Sequence, residues 1–404
     1  MHILILNHYA GSSYYGMEYR PYYLAKEWLK LGNTVTIVAA NNSHIRRVNP
    51  DVQEKFWEED VEGIRYVWLN TRAYSGNGVA RMLNMLDYIA GLYRCMNYLV
   101  KLNPDVVIAS STYPLDNYPA YALARKTGAQ LVYEVHDLWP LSPQKLGGYS
   151  KWHPFIIVMQ IAENFAYKHV DKVVSILPCA EEYMREHGLA EGKFFHVPNG
   201  IYLPEVEHSE PLSAEFLSKL PADKKIIGYC GTLGKANALH HLVEVARMVK
   251  DSHTDLFFAI VGKGPEKENL CALIQKYNLT NIRIYDPIPK SQVQTFLKLS
   301  SIIIIIWNDS DIYKYGISPN KIFDYMYVGK PVLQAVRAGN DIPHDSGCGI
   351  TCDTSPASIC DALEQMLNMS QSKLDDMGKK GNEYVLAHHT YQFLAQQFID
   401  ALNT

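Results

Sequence analysis

The amino-acid sequence predicts an α/β fold made of two successive Rossmann-like halves, each with a mainly parallel sheet. Three observations support this prediction. Short apolar runs alternate with amphipathic stretches, as strands alternate with helices in such folds. The runs are apolar on both faces, which is typical of buried parallel strands. The alternation stops in residues 201–224 and then starts again, so a linker between two halves is expected.

The predicted domain boundaries follow from this break. The first half is expected to span residues 1–203 and the second 225–389, with a proline-containing linker over 204–224. The amphipathic end of the chain, 390–404, is expected to pack back on the first half. Strands are predicted at 2–7, 34–40, 63–70, 105–110, 130–135, 172–177, 225–231, 256–262, 281–286, 302–307 and 331–336, with helices over 18–31 and 79–101 among the segments between them.

Composition narrows the function classes. The 404 residues are 48% hydrophobic and carry a formal net charge of −4, so a nucleic-acid partner is not expected. Seven cysteines occur without a C-x-x-C pair, which is neither a zinc spacing nor a disulfide framework and fits a reducing compartment. No secretory leader and no apolar run of bilayer length are evident, so a cytoplasmic location is expected.

The segment 72–101 leaves two interpretations open. It mixes Arg72, Arg81, Arg94 and Lys101 with many apolar residues. A helix that covers the sheet is one interpretation. An interfacial helix touching anionic lipid is the other, and it would mean peripheral contact with the inner membrane face.

A glycine loop follows the first strand. Gly11 and Gly16 have the spacing that starts a P-loop, but Met17 and Glu18 stand where Lys and Ser/Thr are required. A dinucleotide fingerprint is also absent, because no G-x-G-x-x-G occurs. Either the loop presents backbone N–H groups, including that of Gly16, to an anion or sugar, or it is a plain strand-to-helix turn.

The motif E-V-H-D-L-W-P, at 134–140, closes a predicted strand of the first half. In open parallel sheets ligands lie beyond the carboxyl ends of the strands, which is where His136 and Asp137 are expected. An imidazole at this place suits hydrogen bonding to a sugar hydroxyl or transfer of a proton.

Two motifs of the second half indicate a nucleotide site. In I-V-G-K-G-P-E, at 260–266, Gly262 and Gly264 permit close backbone approach, and Pro265 suits the first turn of the next helix. In Y-G-I-S-P-N-K-I-F-D-Y-M, at 315–326, a helix is expected to begin with Ser318 as the cap and Pro319 as the first helical residue.

Lys321 would then lie in the first turn of that helix, where the helix dipole disfavours a cation. This mismatch indicates an anionic partner, and a diphosphate is the natural one. Asp324 is expected within reach of ribose hydroxyls.

The pair Asp309 and Asp311 forms a D-x-D, a pattern that can hold a metal–nucleotide pair. Carboxylates or histidines do not cluster around it in the sequence. We therefore interpret these acids as solvated loop residues and expect neither a metal nor another cofactor.

Taken together, these residues resemble those of the retaining GT-B glycosyltransferases of family 4, in particular the L-fucosamine transferase type of O-antigen and capsule biosynthesis. The similarity spans nearly the whole chain. It rests on the 16–28 segment, H-D-L-W-P, V-P-N-G (197–200), Y-C-G-T-L-G-K (229–235), G-x-G-P-E and S-P-N-K-I-F-D-Y-M-Y-V-G-K-P-V (318–332).

The resemblance implies two Rossmann-like domains facing each other across a cleft, with the acceptor on the first and a nucleotide sugar, expected to be UDP-linked, on the second. It implies no metal, and a glycan or polyprenyl-linked acceptor. Catalytic roles would fall to His136 and Asp324. Donor binding would involve Gly16, Gly231, Lys235, Gly262, Gly264, Pro265, Glu266, Ser318, Pro319, Asn320, Lys321 and Asp324.

The chain departs from the family pattern at the acids and the cations. Gly316 stands at the first acid of E-x7-E and Asp324 at the second, while Thr232 and Asn237 stand at the usual Arg and Lys. Lys235 and Lys321 remain as candidates to neutralise the diphosphate. Two alternatives to a transferase stay open, a sugar-nucleotide epimerase of the same fold and a non-catalytic protein that binds nucleotide or glycan.

Overall fold

The computed structural model describes residues 1–76 and 78–404, which form two compact units. The first unit comprises residues 1–199 and 391–404, and the second comprises 200–390. Residues 204–224 do not form a separate linker, contrary to the prediction. They belong to the second unit, because Val206 and Leu212 are buried in its core.

The first unit is built on an eight-stranded sheet. Its strands are β1 (His2–Leu6), β2 (Thr34–Ala40), β3 (Phe56–Val61), β4 (Ile64–Leu69), β5 (Val106–Ala109), β6 (Gln130–Val135), β7 (Lys172–Ser175) and β8 (Phe194–His196). They lie in the order β3-β4-β2-β1-β5-β6-β7-β8. Only the β3–β4 pair is antiparallel, so the sheet is otherwise of the predicted parallel kind.

Helices connect these strands. They are α1 (Arg20–Lys30), α2 (Val79–Arg94), α3 (Met96–Lys101), α4 (Asn117–Thr127), α5 (Leu141–Lys145), α6 (Pro154–His169) and α7 (Glu181–Glu186). The single helix predicted over 79–101 is divided at Cys95. Residue 77 of the 72–101 segment lies outside the described residues.

The second unit has a six-stranded sheet that is parallel throughout. Its strands are β9 (Lys225–Cys230), β10 (Leu256–Val261), β11 (Ile282–Tyr285), β12 (Ile302–Ile306), β13 (Val332–Ala335) and β14 (Gly349–Cys352), in the order β11-β10-β9-β12-β13-β14. Its helices are α8 (Leu203–Val206), α9 (Ala214–Ser218), α10 (Leu239–Val249), α11 (Lys267–Lys276), α12 (Lys290–Lys298), α13 (Asn320–Tyr327), α14 (Ile342–Ser346), α15 (Pro356–Leu367) and α16 (Gln371–His388).

The isoleucine strand β12 shows why this sheet is covered on both faces. Ile302, Ile304 and Ile306 pack into one apolar cluster, while Ile303 and Ile305 pack into another. Successive side chains of a strand point to opposite faces, so a run of five buried isoleucines requires a core on each side. Strands β10, β9 and β12 are parallel neighbours, so the loops that follow them lie at the same edge of the sheet.

The chain ends in α17 (Tyr391–Asn403), which belongs to the first unit. The Trp28 indole donates a hydrogen bond of 3.1 Å to the carbonyl oxygen of Ala395. The ring of Trp28 also meets Phe398 edge-on at 5.1 Å. These contacts anchor the last helix to α1.

The predicted α/β class with two parallel sheets is confirmed. Strands β3, β8 and β14 were absent from the prediction, because they are short or only partly buried and show no apolar run. Within the described residues, no helix is both long enough and apolar enough to cross a bilayer.

Candidate functional site

In the second unit, the loops that follow β9 and β10 are joined by backbone hydrogen bonds. Leu233 N–H donates to the carbonyl oxygen of Lys263 at 2.9 Å, and Glu266 N–H donates to that of Leu233 at 3.0 Å. The two loops therefore form one rigid platform beyond the carboxyl ends of the strands, where ligands of parallel sheets bind.

The glycines of these loops are needed for the loops to approach each other. A Cβ on Gly262 would lie 1.9 Å from the carbonyl oxygen of Gly231, and one on Gly264 would lie 2.3 Å from that of Leu233. The close backbone approach predicted for Gly262 and Gly264 is thus already made inside the protein. Whether their amides also meet a ligand stays a prediction.

We expect Gly262→Ala to destabilise this platform, because the Cβ meets backbone atoms that cannot turn away as a side chain would. Overpacking of this kind costs about 1–3 kcal/mol, measurable as a lower free energy of unfolding in urea. Gly234→Ala is the matched control, since its nearest neighbours would lie 3.7 Å away, in ordinary contact. Equal stability of the two variants would contradict the packing argument.

Helix α13 places Lys321 at the same edge of the sheet. The helix begins at Asn320, with Pro319 as its cap residue and no side-chain cap bond. The predicted start is therefore one residue early, and Ser318 is a buried residue before the helix rather than its cap. Lys321 is the second helical residue, in the turn whose N–H groups have no partner within the helix.

The Lys321 ammonium points back toward the loop after β9. It donates to the Tyr229 hydroxyl at 3.0 Å and to Oδ1 of Asn237, and it lies 5.0 Å from the centre of the Tyr229 ring. Within residues 1–76 and 78–404, no carboxylate forms an ion pair with it. Burial lowers the pKa of Lys321 to about 8, so the site holds a poorly compensated cation.

The side chains of Lys235 and Glu266 take no part in the hydrogen bonds that the structure shows for Lys321. Lys235 is exposed and lines a 360 Å³ pocket together with Glu266 and His240. The Glu266 carboxylate accepts a hydrogen bond from the Asn269 side chain at 3.1 Å. Pro265 precedes the cap residue of α11, so its predicted place in the first helical turn is wrong.

Asp324 is partly buried one turn beyond Lys321, beside α12. The Gln294 amide lies 3.5 Å from its carboxylate. Burial raises the pKa of Asp324 to about 6, although the Lys290 ammonium lowers it. Gly316, at the place of the missing first acid, adopts a φ of 95° that favours glycine.

The first glycine loop is closed on itself. Gly16 N–H donates to the carbonyl oxygen of Ser12 at 2.8 Å, and Gly11 N–H donates to that of Glu18 at 2.8 Å. A Cβ on Gly11 would lie 1.8 Å from the carbonyl oxygen of Gly16. The expectation that Gly16 presents its amide to a ligand is therefore wrong, because that N–H is already used.

His136 lies at the carboxyl end of β6, as predicted. Its Nε2 is 3.0 Å from the Ser110 hydroxyl and 3.3 Å from the Glu134 carboxylate. Ser110 donates its own proton to Glu134 at 2.6 Å, and a carboxylate only accepts, so both contacts require a proton on Nε2. In the neutral tautomer that carries this proton, Nδ1 is an acceptor, and 15% of the side chain is exposed.

A buried ion pair between Arg20 and Glu134 lies next to His136. Glu134 Oε1 lies 2.9 Å from Arg20 Nε, and both side chains are almost inaccessible to solvent. The Arg20 guanidinium also donates to the carbonyl oxygens of Val197 and Pro198. Burial by itself would raise the pKa of Glu134, but Arg20 and then His136 hold it well below its usual range.

Sequence reasoning missed Glu134 and Arg20, although a signal was present. Glu134 interrupts an apolar strand two residues before His136, so the two side chains project from the same face of the strand. A charged residue within a buried strand needs a partner of opposite charge. A basic residue close to Glu134 was therefore to be expected.

Asp137 points away from this network. Its carboxylate accepts a hydrogen bond from the Ser142 hydroxyl, and one from Leu138 N–H at 3.0 Å. Burial raises the pKa of Asp137 to about 6. Its side chain helps to line a separate apolar pocket of 590 Å³.

The D-x-D acids do not form a cluster. Asp309 lies 3.6 Å from the Arg337 guanidinium, which is bound more closely by Asp353 at 2.6 Å. Among the residues that the structure describes, no group of three or more His, Cys, Asp or Glu side chains could hold a metal ion.

Two Rossmann-like parallel-sheet units define the GT-B class of fold. Residues 15–200 match the family model described as a glycosyl transferase 4-like domain, and residues 214–384 match that of the glycosyl transferases group 1. The chain therefore belongs to the family 4-like GT-B glycosyltransferases.

Comparison with individual proteins agrees. The chain is 24% identical over 244 residues to a putative colanic acid biosynthesis glycosyl transferase, WcaI, of Escherichia coli K12. That match covers 59% of this chain and 58% of WcaI, so it spans less than two thirds of the relative.

Two solved structures share the fold. Sucrose-phosphate synthase of Thermosynechococcus elongatus matches with a TM-score of 0.74 at 16% identity, over 100% of this chain and 98% of that one. HepE of Anabaena, in complex with UDP and glucose, matches with a TM-score of 0.67 at 13% identity, over 100% and 99%.

Proposed function

We propose that the protein is a retaining glycosyltransferase that moves a sugar from a UDP-linked donor to a glycan or polyprenyl-linked acceptor during surface polysaccharide synthesis. The observation that carries this proposal is the Lys321 ammonium at the start of α13, whose hydrogen-bond partners among the described residues are the neutral side chains of Tyr229 and Asn237. A donor diphosphate would supply the negative charge that this cation lacks.

The chemistry asked of Lys321 is stabilisation of the leaving group. When the bond between the sugar and the diphosphate breaks, negative charge grows on the terminal phosphate, and a fixed cation lowers the energy of that state. The N–H groups of the first turn of α13 point in the same direction as the helix dipole and would add to this stabilisation. Neither group needs a metal.

The proposed role of His136 is to orient a sugar. With its proton on Nε2 held by Ser110 and Glu134, the ring offers Nδ1 as an acceptor for a sugar hydroxyl. Gly316 stands in place of one of the acids that usually contact the donor sugar in the family that this sequence resembles. We therefore propose that the sugar differs from that of typical members, and that Asp324 binds the ribose.

The names of similar proteins support the donor and the pathway. HepE was solved with UDP and glucose, and WcaI is described as an enzyme of colanic acid synthesis. The first name agrees with a UDP-linked donor. The second agrees with an acceptor that belongs to a surface polysaccharide.

We expect UDP release from a panel of UDP-sugars to require a lipid-linked glycan acceptor. Proton NMR of the product should show the anomeric configuration of the donor retained, and EDTA should not change the rate. His136→Ala should lower turnover, whereas Lys235→Ala is the exposed-residue control. Conversion of the donor without acceptor would favour an epimerase, and nucleotide binding with no turnover would favour a non-catalytic protein.

A further inference from the structure

Helix α6 of the first unit exposes an apolar face. Ile157, Val158 and Ile161 are 41%, 50% and 58% exposed, and they lie together because residues three and four apart are neighbours on a helix. Trp152, just before the helix, is 74% exposed, with the Lys151 ammonium 5.2 Å from its ring centre. We call these four apolar residues the α6 face.

An apolar pocket lies beside the start of α6. It has a volume of 590 Å³ and lies between the start of α2 and the segment that joins α5 to α6. Val79, Leu146 and Tyr149 line it and are themselves 68%, 45% and 44% exposed. His153 and Phe155 line the pocket and lie between Trp152 and Ile157 in the chain, so the pocket adjoins the start of the α6 face.

The segments that carry the α6 face and the pocket hold more cations than acids, although the chain as a whole carries −4. Residues 138–162 contain Lys145 and Lys151 but no Asp or Glu. Helix α4 contains no acid and ends in the exposed pair Arg125 and Lys126.

The acids of α2 and α6 are engaged by other groups. Asp87 lies 2.6 Å from Arg72 in an ion pair. Glu163 is buried and accepts a hydrogen bond from the Tyr183 hydroxyl at 2.9 Å.

We propose that the α6 face docks on an anionic lipid bilayer. Aliphatic side chains beside an exposed indole and several cations match the boundary between acyl chains and acidic headgroups. A nucleic acid would gain nothing from three exposed aliphatic residues. A second copy of the chain on this face would bring Lys151 and its equivalent together, and residues 138–162 offer no acid to pair them. The inference does not depend on the transfer reaction.

The test is flotation of the full chain with vesicles. In 50 mM NaCl, the protein should bind vesicles of phosphatidylglycerol and phosphatidylcholine in equal parts, and it should bind phosphatidylcholine alone at least about tenfold more weakly. Trp152→Ser with Ile161→Ser should weaken binding to the mixed vesicles at least about tenfold, since apolar area is lost. Leu386→Ser, at a helical leucine that is 43% exposed on the second unit, is the matched control.

Two further readouts distinguish docking on lipid from misfolding and from self-association of the chain. Indole fluorescence of the wild type should shift to the blue on mixed vesicles, and circular dichroism should show that the variants fold. Equal binding to both vesicle types, no binding, or unchanged binding of the double variant would overturn the proposal. So would light scattering that shows a dimer abolished by the same double substitution without any vesicle binding.

Discussion

Lys321→Met is expected to have two opposite effects. UDP binding should weaken about 10–100-fold, because the variant loses a charged hydrogen bond worth about 1.5–3 kcal/mol. The nucleotide-free protein should become more stable at pH 7. Burial lowers the pKa of Lys321 to about 8, and holding the ammonium charged against such a shift from its usual 10.5 costs about 3 kcal/mol.

The dependence on pH has a definite sign. The folded-state pKa of Lys321 lies below the unfolded value, so its charge destabilises the free protein fully below pH 8, and the penalty disappears between pH 8 and about pH 10.5. UDP binding requires the charged form, so wild-type affinity should fall as the pH rises from 7 to 9. The affinity of Lys321→Met should not follow this trend.

Calorimetry with UDP and urea unfolding measure the two effects separately. Lys235→Met is the control, because Lys235 is exposed and lines a pocket with Glu266 and His240. An affinity for UDP that is unchanged in Lys321→Met would contradict the role proposed for Lys321. A loss of affinity in Lys235→Met instead would assign that role to Lys235. A nucleotide-free Lys321→Met protein less stable than the wild type would contradict the cost of burial.

The comparison of these two lysines shows what the sequence predicts about the site. The helix start at S-P-N-K indicated an anion, because a cation in a first helical turn conflicts with the dipole. The sequence could not rank Lys235 against Lys321. Ranking them requires the tertiary contact between α13 and the loop after β9, which brings Lys321 to Asn237 and leaves Lys235 exposed.

The two sheets were predictable because buried parallel strands are continuous apolar runs. The first glycine loop left two interpretations open for a related reason. Glycines permit close approach, but the spacing of Gly11 and Gly16 does not say to what. In the structure the two glycines approach each other, because Ser12 and Gly16 exchange two backbone hydrogen bonds that close the loop. Gly262 likewise meets Gly231.

Glu134→Ala is expected to lower the free energy of unfolding by about 3–5 kcal/mol, because it leaves the Arg20 guanidinium charged, buried and without its carboxylate. Urea unfolding at pH 7 measures the loss. The pKa of Glu134 is held well below its usual range in the folded protein. Its stabilisation is therefore present above the unfolded pKa, near 4.5, and is lost as the pH falls below it, so the difference between variant and wild type should shrink in acid.

A double replacement tests whether the cost comes from the unpaired charge. Arg20→Leu with Glu134→Leu removes both charges, so its loss should be smaller than the sum of the single losses, with a coupling of about 1–3 kcal/mol. Glu62→Ala breaks the exposed Lys26–Glu62 pair, 2.8 Å apart, and should cost less than about 1 kcal/mol. Additive losses at Arg20 and Glu134 would contradict a mutual role. Glu134 would then contribute to stability through packing alone. The orientation of His136 would in that case depend on its hydrogen bond with Ser110.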